Sequence, residues 1–141
     1  MILGLTLGVE REFGGNPAGL RTMGLVTAGA CLFAGLGLIP FEGRSVDPTR
    51  IAAQIVTGVG FLGAGSILRQ GESVHGLTTA ASIWIAAAIG MAVGFSYYVT
   101  AIISTVVVLI TLVGLGRLEN RFVPAKRNRR REDPNAEPTT P

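Results

Sequence analysis

The sequence is poor in charge, cysteine, histidine and aromatic side chains. Charged residues make up 15% of its 141 positions, against roughly a quarter in soluble domains. Cys31 is the single cysteine, which excludes a disulfide framework. His75 is the single histidine and has no partner for a histidine-rich metal centre. At this length the chain is no long multidomain enzyme. The charge that exists is unevenly placed. Residues 117–141 hold seven of the 12 Lys and Arg and four of the nine Asp and Glu, and the remaining body is neutral with five of each. All 20 glycines lie in that body. What remains is apolar: 48% hydrophobic residues and a mean hydropathy of +0.50. Together these describe a small, glycine-rich integral membrane protein with a basic tail.

Four stretches, 21–39, 51–68, 77–95 and 98–116, approach the roughly 20 apolar residues that cross a bilayer. The Val- and Ile-rich run 102–113 has strand propensity, but no alternating barrel pattern accompanies it, and an open strand in lipid strands its backbone groups. Helices are expected throughout. Residues 1–9 are apolar but short, and read as the last half of a spanning helix or as a half-inserted one. The expected fold is therefore an all-α polytopic transmembrane bundle, four full spans plus a truncated N-terminal helix. Residues 1–118 form the membrane domain and 119–141 a disordered basic tail.

Turn signals separate the spans. Gly14-Gly15-Asn16-Pro17-Ala18-Gly19 makes the first two segments a hairpin. Pro40 ends the next span, and Asp47-Pro48 reads as an N-cap followed by proline at the first helical position. Residues 69–76 are a short polar loop, and 95–98 an aromatic turn at interface depth. Alternate loops then place Arg11, Arg21, Arg69 and the seven tail bases on one side, with Arg44 and Arg50 opposite. The positive side faces the cytoplasm, and the C-terminus with it.

Gly58-Val59-Gly60-Phe61-Leu62-Gly63 matches G-x-G-x-x-G, but it sits inside an apolar run with Ile83 where an acid belongs. That context excludes the strand-turn-helix setting of a dinucleotide site. Gly58, Gly60, Gly63 and Gly65 are instead expected to allow close helix packing, on several sides of a central helix. Asp47, Arg50, Gln54, Thr57, Gly58 and Gly65 share about a quarter of that helix's circumference. Two readings stand for this stripe: the wall of a polar site or ion path, or a helix-start pair with interhelical hydrogen bonds.

Glu10, Arg11, Glu12 and Arg21 bracket the first hairpin. They either lock it as ion pairs or offer two carboxylates to Mg²⁺. Thr78 and Ser82 share a face and can bond a partner helix or their own carbonyls. Trp84 and Cys31 read as bundle packing. Lys126, Arg127, Arg129, Arg130 and Arg131 suit anionic lipid at about 1 kcal/mol per base, or serve topology alone. Nucleic acid is not the expected partner, since no folded module accompanies the charge. No motif supports hydrolysis, phosphoryl transfer or redox chemistry, so neither an enzyme nor a cofactor is expected.

Several blocks together resemble the MgtC/SapB family of bacterial inner-membrane proteins. They are residues 7–12, 17–22, 47–56, 58–65 and 76–81, in order over about residues 4–118. The resemblance implies a five-helix membrane domain and a role in growth at low magnesium, intracellular survival and, in one branch, restraint of the ATP synthase. It implies a regulatory factor acting through membrane-protein contacts, with a small ion transporter or channel subunit as the alternative. Phe13, Met23 and His75 depart from the family pattern, where Trp, His or Asn, and Arg are usual. Many relatives carry an ACT-like C-terminal domain. This chain has the basic tail there, and its incomplete first helix suggests a start assigned downstream.

Overall fold

A computed structural model describes residues 1–40, 47–70 and 73–122. Five helices follow in order: α1 (Ile2–Phe13), α2 (Leu20–Leu36), α3 (Pro48–Gly65), α4 (Leu77–Gly94) and α5 (Tyr98–Phe122). The segment read as a polar loop before α4 is a β-hairpin. Strands β1 (Leu68–Gln70) and β2 (Ser73–His75) pair antiparallel with Arg69 opposite Val74. Pairing there satisfies backbone groups that a loop would leave to water.

The helix starts follow local chemistry. Asp47 Oδ1 accepts the Thr49 amide at 2.9 Å and the Thr49 hydroxyl at 2.7 Å, with Pro48 at the first turn. Gly76 precedes α4 at φ 89°, and a side chain on it would collide with the Ser66 carbonyl. Only glycine takes that corner without strain.

The core is built around α2 and α4, which pack most extensively, with α1 on α2. This corrects the expectation of α3 as the central helix. A side chain on Gly90 would strike the Thr27 backbone carbonyl, and one on Gly94 the Cys31 carbonyl and the Ala34 side chain. Gly90 and Gly94 thus bring α4 close to Ala30 and Ala34 of α2, as Gly4 and Gly8 bring α1 close to α2. α3 buries only Ile55, Val59 and Gly63 and leans chiefly on α4. α5 buries Ala101 and Thr105 and turns most of its surface outward. Trp84, expected inside, is half exposed because the buried stripe of α4 runs through Ile83, Ala86, Ala87 and Gly90.

Among the described residues, Leu77–Gly94 and Tyr98–Leu118 are long and apolar enough to cross a membrane. α2 is apolar but shorter, at 17 residues.

Candidate functional site

α2 and α3 touch little, and a cleft of about 1310 Å³ opens between them. Its α2 wall is apolar, with Leu25, Gly29, Phe33 and Leu36. Its α3 wall brings together Asp47, Arg50, Gln54 and Gly58, four members of the stripe read from the sequence. Thr57 and Gly65, the other two members, lie outside the lining. The Thr57 hydroxyl donates to its own helix at the Ala53 carbonyl, 2.9 Å away. Asp47, fully exposed, is held below the usual carboxylate range by the Thr49 hydroxyl and amide, with Arg50 adding to the effect. The Arg50 and Gln54 side chains are exposed and make no hydrogen bond or close ion pair to another described residue. The helix-start reading is therefore half right: Asp47 caps the helix, while Arg50 stays out of ion-pair distance.

The packing role assigned to the α3 glycines is corrected for Gly58, Gly60 and Gly65, while Gly63 does pack against α4. A methyl on Gly58, Gly60 or Gly65 would meet nothing within 4 Å, and one on Gly63 would make ordinary contact with Ala80 at 3.7 Å. Gly58, Gly60 and Gly65 point away from α4, while Gly63 is buried against it.

The charged hairpin resolves differently from an interhelical ion-pair lock. Arg11 is buried at 5% exposure. Its Nη2 donates to Asn16 Oδ1 at 2.7 Å, and Asn16 Nδ2 returns a bond to the Arg11 carbonyl at 3.2 Å. Glu10 is at the edge of ion-pair distance, 3.9 Å, and neither its Oε2 nor Arg11 Nε finds a hydrogen bond among the described residues. Glu12 Oε2 accepts the Leu20 amide at 2.9 Å, capping α2 from the preceding helix. Arg21 is exposed at the start of α2. The two carboxylates thus serve separate partners. Among the described residues, no three His, Cys, Asp or Glu side chains gather as a metal site.

Thr78 is exposed, and Ser82 is buried with its hydroxyl on the Thr78 carbonyl at 2.7 Å. The residue missed in the sequence is Thr27, fully buried, whose hydroxyl reaches the Ala86 carbonyl of α4. A lone hydroxyl among small residues was its only signal. Lys126, Arg127, Arg129, Arg130, Arg131 and Arg44 lie outside the described residues.

A helical bundle with apolar helices turned outward and a lateral cleft is the architecture of a helical membrane protein. The sequence model of the MgtC family matches residues 1–121, and the chain belongs to that family. It is 45% identical over 109 residues to MgtC of Salmonella typhimurium LT2, covering 77% of this chain and 46% of that protein. YhiD of Escherichia coli K12, described as a candidate magnesium transporter, is 45% identical over 123 residues, 83% of this chain and 57% of its own. An uncharacterized Haemophilus influenzae protein is 38% identical over 139 residues, 93% of this chain and 58% of its own. The chain thus spans about half the length of these curated relatives. No solved structure matches.

Proposed function

We propose that the chain is an inner-membrane regulatory protein of magnesium limitation or membrane-ion homeostasis, working through contacts with membrane proteins rather than by catalysis. In this reading α2 to α5 are four spans, α1 is a short first helix, and the C-terminus is cytoplasmic, with its basic residues on anionic lipid. The observation that carries it is the exposed wall of α3. Gln54, a turn inside the span, faces outward with no side-chain hydrogen bond to a described residue, and Arg50 stands exposed at the helix start, both beside an open cleft. Polar groups at membrane depth are costly toward lipid and are normally covered by protein or a wet cavity. The magnesium link rests on the description of YhiD. A photo-crosslinking residue at Gln54 in intact membranes should give protein adducts. Adducts no more abundant than from Ile102, exposed on α5, would sink the reading.

The description of YhiD also favours a second reading, an ion path along Asp47, Arg50 and Gln54. Magnesium flux into proteoliposomes, lowered by joint Arg50→Ala and Gln54→Ala substitution, would support it. Flux equal to that of empty vesicles would remove it.

A further inference from the structure

We draw no further inference here: the strongest candidate, the lateral cleft between α2 and α3 with Gly29 and Gly58 open on its facing walls, belongs to the site already described, and nothing in the structure shows what covers it.

Discussion

The Thr27 hydroxyl donates to the Ala86 carbonyl at 3.1 Å, bridging α2 and α4 at the centre of the bundle. Gly4 of α1 and Gly90 of α4 both press on this residue, one against its side chain and the other against its backbone. Three helices therefore meet at one small β-branched side chain.

Substitutions there separate hydrogen bonding from packing. Thr27→Val keeps the shape and removes one interhelical bond, a loss of about 0.6 kcal/mol as such bonds average in membranes. Gly90→Leu forces α2 and α4 apart and should cost about 1–3 kcal/mol or more. Unfolding in mild detergent by denaturant titration measures both, and a larger loss from Thr27→Val would reverse the ranking.

The hairpin between α1 and α2 should depend on two separate contacts. Glu12→Ala removes the acceptor for the Leu20 amide and should cost about 0.5–2 kcal/mol, as lost N-caps do. Arg11→Ala removes the bond to Asn16 and leaves Glu10 beside an empty site, at about 1–3 kcal/mol. Arg11→Lys should not restore it, since one ammonium cannot reproduce the guanidinium's fork. Melting temperatures of the three variants check this, and full rescue by lysine would show that charge alone matters.

Acid should loosen the start of α3. The Thr49 hydroxyl and amide lower the Asp47 pKa in the folded chain relative to the unfolded value, near 3.9. The cap therefore stabilises fully above that value, and its contribution is lost as pH falls through the lowered folded value. The melting-temperature gap between the parent and Asp47→Ala should be level from pH 7 to about 4 and close below. A gap that persists in strong acid would exclude the capping carboxylate as its cause.

Glycines of different settings should respond oppositely to alanine. Gly76 sits at φ 89° against the Ser66 carbonyl, so Gly76→Ala should cost about 1–3 kcal/mol through strain. Gly114 lies inside α5 with open space around it, and Gly114→Ala should gain about 0.5–1 kcal/mol from helix propensity. Thermal unfolding of the pair decides it, and equal loss at both positions would contradict the assigned geometry.

The helices themselves were readable because their punctuation is local. The residue that caps α3, the glycine-proline turn after α1 and the aromatic turn before α5 each act on their own neighbours in the chain. The stripe Asp47, Arg50, Gln54 and Gly58 was also readable, since a 3.6-residue period alone puts it on one face. What that face meets was not. Gly58, Gly60 and Gly65 resemble packing glycines by composition, yet nothing in the described chain packs against them, while Gly90 and Gly94, in a less conspicuous run, hold a close contact between α4 and α2. Spacing states which residues share a side, but carries no term for which side turns inward.

Sequence patterning alone established an apolar helical chain, the order and rough limits of its helices, and a neutral body ending in a basic tail. Hydrophobic run length and turn chemistry act over a few residues and need no partner. Only the tertiary structure decided that α2 and α4 form the core, that Arg11 is buried while Arg50 is exposed, and that a cleft separates α2 from α3. Those outcomes depend on how closely backbones far apart in the chain approach one another. That distance is set by the joint fit of small residues such as Thr27, Ala34, Gly90 and Gly94, a property no single segment carries.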